Sequence, residues 1–316
     1  MKLGWIAGVA AAVVMAGTAG AEERITYKSA KTGTSYYQMG VELAEAIKAG
    51  TDGGAIVTVE ESQGSVQNVM EVRARGGDYV FTTPPALVGL AQAGKAMFEG
   101  KGDPAFAGIR GLFPIPSLTM HFVVSADSGI DSLADLEGKT ILLGSGSFGA
   151  TEGAKYLGLF GLEGKVTLSD AELSNAVAAL KNGQIDGFVT AGSYPAPNVI
   201  EAAASTGVKI LSLSDEQIAQ TKRTRLVIPA GTYAGQDADI VTTSLPVAAF
   251  ATTKMSDDTA YLLTRTFWEA RDKLAQNAPW WGAVTPDMLT NIGTQLHPGA
   301  LRYYEEIGTA LSDAHK

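Results

Sequence analysis

The sequence contains no cysteine at all. That excludes thiol nucleophiles, iron–sulfur ligation and cysteine-ligated zinc. Histidine is nearly as scarce, with only His121, His297 and His315. None stands in an HExxH or comparable ligand spacing, so no metal site is expected. A Ser-His-Asp triad would have to be assembled by tertiary contacts alone, and no GxSxG surrounds any serine, which removes the nucleophile elbow of α/β-hydrolases. The chain is therefore not expected to be an enzyme, and no cofactor is implied. Cations are outnumbered as well, 24 Lys+Arg against 33 Asp+Glu, for a formal charge of −9. An acidic surplus argues against nucleic acid or an anionic membrane surface as partner. It leaves room for a small anionic ligand, because single cations and backbone dipoles set the potential of a site. Low-complexity segments and short-period repeats are absent too.

Long apolar runs are confined to the first residues. Lys2 supplies a minimal positive n-region, an apolar run extends from Gly4 to about Met15, and Ala19-Gly20-Ala21 gives the small-x-small pattern of a cleavage site. The alternative, a transmembrane anchor, needs about 20 apolar residues, more than this run offers. Residues 1–21 are thus expected to be a signal peptide cleaved before Glu22, leaving a periplasmic, freely diffusing chain. With no cysteine at the cleavage site, a lipid anchor is not expected, nor is direct membrane insertion. Loss of Lys2 moves the formal charge from −9 to −10. About 295 residues remain, enough for two lobes each with its own core and without disulfides.

What the rest of the chain does have is an alternation of short apolar strands with amphipathic helices. Strands are expected at Ile25–Ser29, Ala55–Glu60, Asp78–Thr82, Gly108–Phe113 and Thr119–Ser125. Tyr36–Ala49 has Met39, Leu43 and Ile47 at helical spacing, Ser65 suits the N-cap of the next helix, and Pro84-Pro85 opens a third. The rhythm restarts with strands at Lys139–Leu143, Lys165–Leu168, Asp186–Thr190 and Val208–Leu213, interleaved with helices at Ala150–Phe160, Ala171–Lys181 and Ala196–Ala204. The C-terminal part carries a strand near Val241–Phe250 and helices at about Asp257–Gln276 and Pro286–Leu296. Repeated βαβ units predict parallel or mixed sheets covered by helices. Ligands in such sheets bind beyond the carboxyl ends of strands, at helix N-termini.

Four loops fall at such places. Ala30–Tyr37 joins Lys31 to the hydroxyls of Thr32, Thr34 and Ser35 around Gly33, directly before a helix. Gly144–Thr151 looks like a phosphate loop, but Ala150 stands where nucleotide hydrolysis needs lysine. Its hydroxyls and amides still suit a carboxylate. Thr82 and Thr83 mark a strand-to-helix junction, and Thr190–Pro197 brings Ser193 and Tyr194 just past another strand. Each of these is equally an ordinary turn. Glu60-Glu61 and Asp257-Asp258 read as solvated pairs, and Trp280-Trp281 as a core plug in preference to an interface.

At these same loops the sequence resembles the TAXI branch of TRAP-transporter solute receptors. The matching stretches are TGTSYYQMGVELAEAI, ESQGSVQNV, SADSGIDSLADLEGKT, GSGSFGATEGAKYL, DGFVTAGSYPAPNV, IPAGTYAGQDADIVTTSLPV and HPGALRYYEE, running in order from Ile25 to Ile307. The resemblance implies an α/β, two-lobed periplasmic-binding-protein-like fold of type II character, each lobe a mixed sheet flanked by helices with the ligand cleft between. Lobe 1 would comprise residues 22–125 plus 226–316, and lobe 2 residues 126–225. It further implies capture of a small carboxylate, a dicarboxylate or an acidic amino acid such as glutamate, by hinge closure, and delivery to membrane-embedded TRAP permease subunits. Carried over position by position, the ligand-binding residues are Thr32, Gly33, Tyr36 and Tyr37, then Ser65, Thr82 and Thr83. The second lobe would add Ser145, Ser147, Gly149 and Thr151, with Ser193 and Tyr194 opposite. Lys28 and Lys31 stand where the family has small residues, and Lys31 would favour an extra carboxylate on the ligand. A sensory module feeding a receptor kinase, or a periplasmic enzyme on the same fold, are the alternatives.

Overall fold

A computed structural model describes residues 22–316. The export signal expected over residues 1–21 lies outside the described residues. The chain runs β1 (Glu23–Lys28), α1 (Ser35–Gly50), β2 (Ala55–Glu60), α2 (Ser65–Glu71), β3 (Tyr79–Thr83), α3 (Pro85–Gln92) and β4 (Ile109–Ser125). It continues with β5 (Thr140–Leu142), α4 (Phe148–Leu159), β6 (Thr167–Ser169), α5 (Ala176–Lys181), β7 (Gly187–Gly192), α6 (Pro197–Ser205), β8 (Val208–Ile210), α7 (Asp215–Thr221) and β9 (Thr224–Ile228). The last elements are β10 (Ile240–Thr252), α8 (Asp257–Asn277) and α9 (Pro298–Glu306).

The strands form one mixed sheet in the order β2-β1-β3-β10-β4-β7-β5-β6, with β8 beside β4 and β9 beside β10. Its two ends are alike. β2, β1 and β3 are parallel and meet β10 antiparallel; β6, β5 and β7 are parallel and meet β4 antiparallel. The fold is thus the expected α/β mixed sheet with helices on its faces. All five residues of β3 are buried, as befits a parallel strand covered on both sides. On α1, Met39, Leu43 and Ile47 are buried at the helical spacing that marked them in the sequence.

β4 and β10 run through both ends of the sheet. Ile109–Ile115 pairs with Val247–Thr252, whereas Thr119–Val124 pairs with β7 and Ile240–Ser244 with β9. The β4–β10 ladder shifts register between Leu245 and Val247, opposite Ile115–Leu118. Pro114, Pro116 and Pro246 concentrate there. Proline donates no N–H to a ladder, so it sits inside a covered sheet only where pairing is interrupted.

Four expectations need correction. Gly108–Phe113 and Thr119–Ser125 are not two strands but one 17-residue strand that continues through the prolines. Pro286–Leu296 is not an α-helix: a 3₁₀ turn covers Pro286–Asn291, and the last α-helix begins only at Pro298. The N-cap of α2 is Gly64, with Ser65 as the first helical residue. Glu60 is not a solvated acid, because it is bound by Lys28 and Arg75.

Candidate functional site

The loop after β1 is built by its own hydrogen bonds. Ser29 Oγ donates to Tyr36 O at 2.5 Å and Thr34 Oγ1 to Lys31 O at 2.7 Å. Thr34 is the N-cap of α1, accepting from Tyr37 N. Ser147 does the same for α4, its Oγ accepting from Ala150 N at 2.9 Å. The first N–H groups of a helix have no intrahelical carbonyl to meet, so both caps leave donors at the helix mouth, where the dipole favours an anion.

These two mouths face each other. α1 and its loop belong to the β2-β1-β3 end of the sheet, α4 to the β7-β5-β6 end, and both line one cavity of about 50 Å³. On a scale of ~15 Å³ per water, the gap holds a few waters or part of a small acid. Of the residues expected from sequence, Lys31, Tyr36, Ser65, Thr82, Ser147 and Gly149 line it. Ser29, Thr34, Gln63, Gly64 and Phe148 line it as well. Thr34 was visible as a hydroxyl of the loop. Gln63, Gly64 and Phe148 lie in stretches that the sequence singled out but were not expected as ligand-binding residues; they join by tertiary approach across the gap. Gly64 is at φ +119°, and a Cβ there would lie 3.4 Å from Phe148 N.

The other expected residues sit elsewhere. Thr32 and Gly33 are exposed at the turn, with Thr32 N donating to Glu61 Oε1 at 3.0 Å. Tyr37 is partly exposed and does not line the cavity, whereas its neighbour Tyr36 does. Thr83 is buried in β3 on the other side of the strand from Thr82. Ser145 is exposed, its N–H spent on Ala171 O, and Thr151 is exposed one turn into α4, where its hydroxyl bonds Ser147 O. Ser193 and Tyr194 line a different groove.

Neither loop lysine offers a free charge to the cavity. Lys31 Nζ is 3.1 Å from Glu172 Oε2. Lys28 is buried between Glu60 (3.3 Å) and Glu71 (3.2 Å), and Arg75 closes this four-membered network. Hydrogen bonds from Arg75 hold the Glu60 carboxyl below its ordinary range, with Lys28 adding to the effect. Desolvation of Tyr36 raises its phenol far above the ordinary value. It stays neutral and donates to Pro116 O at 2.9 Å, tying α1 to the irregular part of β4.

Asn68, fully buried on α2, organises the floor. Its Nδ2 reaches Ser29 O and Thr82 O at 2.8 Å each and Lys28 O at 3.4 Å. The ends of β1 and β3, which carry two cavity-lining residues, are thereby held together. Among the described residues no group of three or more His, Cys, Asp or Glu could hold a metal ion, and no helix is long and apolar enough to cross a membrane.

The sequence of residues 28–308 matches the NMT1-like family across most of the chain. The protein belongs to the NMT1-like family. The fold of this NMT1-like chain is that of periplasmic binding proteins. The periplasmic binding protein BugD superposes with a TM-score of 0.57 at 12% identity, over 91% of this chain and 98% of BugD. MatC from Rhodopseudomonas palustris, solved with bound malate, superposes with a TM-score of 0.56 at 14% identity, over 90% of this chain and 97% of MatC.

Proposed function

We propose that this NMT1-like protein is an extracytoplasmic solute-binding protein. It captures a small carboxylate between two lobes and hands it to a membrane permease of the TRAP type, as a TAXI-like receptor would. The observation that carries this is the pair of capped helix mouths, α1 and α4, lining one cavity from opposite ends of the sheet. Their free amides, with the hydroxyls of Ser65 and Ser147, suit a carboxylate without a free cation; the protons of Ser29 and Thr82 are given to Tyr36 O and Lys28 O. MatC, of the same fold, was solved with a dicarboxylate, malate.

We take the lobes to be the two ends of the sheet, residues 22–116 plus 246–316 and residues 117–245, with boundaries at the change of partners in β4 and β10 in place of the expected 125 and 226. Because β4 and β10 change partners in mid-strand, the hinge lies inside them, around Pro116 and Pro246. A ligand touching both lobes favours the closed form by its differential affinity. Hydrogen bonds to a charged group contribute roughly 1.5–3 kcal/mol each, so micromolar binding, about 8 kcal/mol net of ordering costs, needs at least four of them, drawn from both helix mouths. Lys31 does not add a second anchor in the closed form, since Glu172 already occupies it.

A thermal-shift screen of malate, succinate, glutamate and monocarboxylates tests this directly. A ligand at 100 times its dissociation constant stabilises the fold by about 2.7 kcal/mol. In calorimetry Ser65→Ala and Ser147→Ala weaken the hit about tenfold, one charged hydrogen bond each. No stabilisation by any small acid, or unchanged affinity in both variants, overturns the proposal.

A further inference from the structure

A second and larger cavity, about 590 Å³, lies on the opposite face of the same hinge. Past the irregularity of β4, where Pro116 and Ser117 both line the groove, side chains alternate across the strand and separate the two spaces. Leu118 and Val247 line the carboxylate cavity; Thr119 and Ser244 line the larger groove. One wall of the groove is Ser193-Tyr194-Pro195, just after β7 in the second lobe. The other is the segment around Pro279, Trp280 and Ala283, which is fixed to the first lobe. There both Trp280 Nε1 and Trp281 Nε1 donate to Glu42 on α1, and Trp281 packs on Phe267, which stacks on Phe113 of β4. None of the residues lining the groove is charged.

We propose that this groove is a counter-cleft, a conformational device that rests on the solute-binding function proposed above. Two bodies joined by a narrow ladder cannot close on one face without parting on the other. The front cavity is nearly shut and the rear groove wide, as one closed form requires. Opening the front brings Tyr194 and Pro195 towards Trp280 and buries neutral, largely apolar surface. Such burial is favourable, so the rear contact stabilises the open, ligand-free form and sets the affinity of the front site from a distance.

The test is a wedge. Ala283 is exposed on one wall, and Ala283→Trp fills the groove without touching the core or the carboxylate cavity. Because the chain has no native cysteine, spin labels at Lys101→Cys and Lys181→Cys, exposed positions in the two lobes, report the lobe separation by electron-spin distance measurement. Ligand-free protein is expected to populate a long distance, and the wedge to shift it to the short one. Affinity for malate rises at least about threefold in calorimetry. Thr232→Trp, from the facing wall, asks the same question should Ala283→Trp fail to fold. Ligand-free protein already at the short distance, or a folded wedge with an unshifted distribution, overturns the counter-cleft. A shifted distribution with no malate binding in either protein leaves the counter-cleft standing and removes malate as the solute. Equal malate binding with unshifted distances does the reverse.

Discussion

Lys31 and Glu172 form an ion pair at 3.1 Å that bridges the mouth of the cavity, one partner from each end of the sheet. Lys31 keeps 22% of its side chain exposed and Glu172 47%, so the pair is screened and contributes at most about 1 kcal/mol. It acts as a latch on the closed form. Lys31→Ala and Glu172→Gln are each expected to weaken solute binding by less than about fivefold, with the double variant no worse than either. The loss appears in the dissociation rate and fades as salt is raised. Should Lys31 instead hold a ligand carboxylate, Lys31→Ala would cost more than tenfold and Glu172→Gln would improve affinity. Stopped-flow release at two ionic strengths separates the two roles.

Gly64 faces Phe148 across the gap, and its φ of +119° is open to glycine and almost nothing else. Gly64→Ala places a methyl group 3.4 Å from Phe148 N, one of the free donors at the mouth of α4. The backbone strain of about 1–3 kcal/mol is present with or without ligand, whereas the methyl stands before the Phe148 N–H only where a ligand would reach it. Solute affinity should therefore fall by about tenfold in addition to a loss of stability in the ligand-free protein. Urea denaturation without ligand and calorimetry with it measure the two effects, and an unchanged affinity in the folded variant would refute the assignment.

How much of this was legible in the sequence varies with the range of the interaction. α1 and β3 were readable because one face or both are covered, so Met39, Leu43 and Ile47, or an unbroken apolar run, record the burial directly. The caps Thr34 and Ser147 were readable because capping is local chemistry. β4 was misread as two strands since Pro114 and Pro116 look like a break; only the ladder's register shift explains how one strand tolerates them. The two α1 and α4 mouths were legible as loops, but the gap between them was not. Phe148, Gln63 and Leu173 reach the cavity because the two ends of the sheet approach each other, and Ser193 and Tyr194 line the other groove because they follow the end of β7 at Gly192. Lys31 looked like a free cation because its partner, Glu172, is 141 positions away in sequence.

Asn68 predicts a loss of binding alongside a loss of stability. Its Nδ2 joins Ser29 O and Thr82 O, while its Oδ1 has no partner among the described residues. Asn68→Asp keeps the size but replaces the donor with an acceptor facing three carbonyls. The ends of β1 and β3 are expected to separate, lowering solute affinity at least tenfold, the value of one lost charged hydrogen bond at the floor. Asn68→Ala also leaves the carbonyls unpaired, at about 1–3 kcal/mol of stability. Thr82→Ala combined with Asn68→Asp should weaken binding less than the sum of the two, because both act on the same strand end. Additive losses in calorimetry would show that Asn68 works elsewhere.

The fold itself should respond to acid through His121. This side chain is completely buried in β4. One ring nitrogen contacts Thr119 O at 3.2 Å, the other Tyr233 Oη at 2.9 Å, and Tyr233 Oη accepts from Ala196 N. The chain of bonds is satisfied by a neutral ring that donates from Nδ1 and accepts at Nε2. Burial lowers the imidazole to about 4, from an ordinary 6.5. Between these values the unfolded chain binds a proton that the native one excludes, so stability rises with pH across this window. It is complete above about 6.5 and lost progressively as pH falls to 4, by roughly 3 kcal/mol in all. His297, also lowered by burial, adds a smaller slope of the same sign. His121→Gln has no proton to exclude and should flatten most of the slope in urea denaturation between pH 7 and 4.5, at the cost of stability near neutrality. If the variant keeps the full wild-type slope, acid acts on another buried group and the neutral His121–Tyr233–Ala196 chain is not what resists protonation.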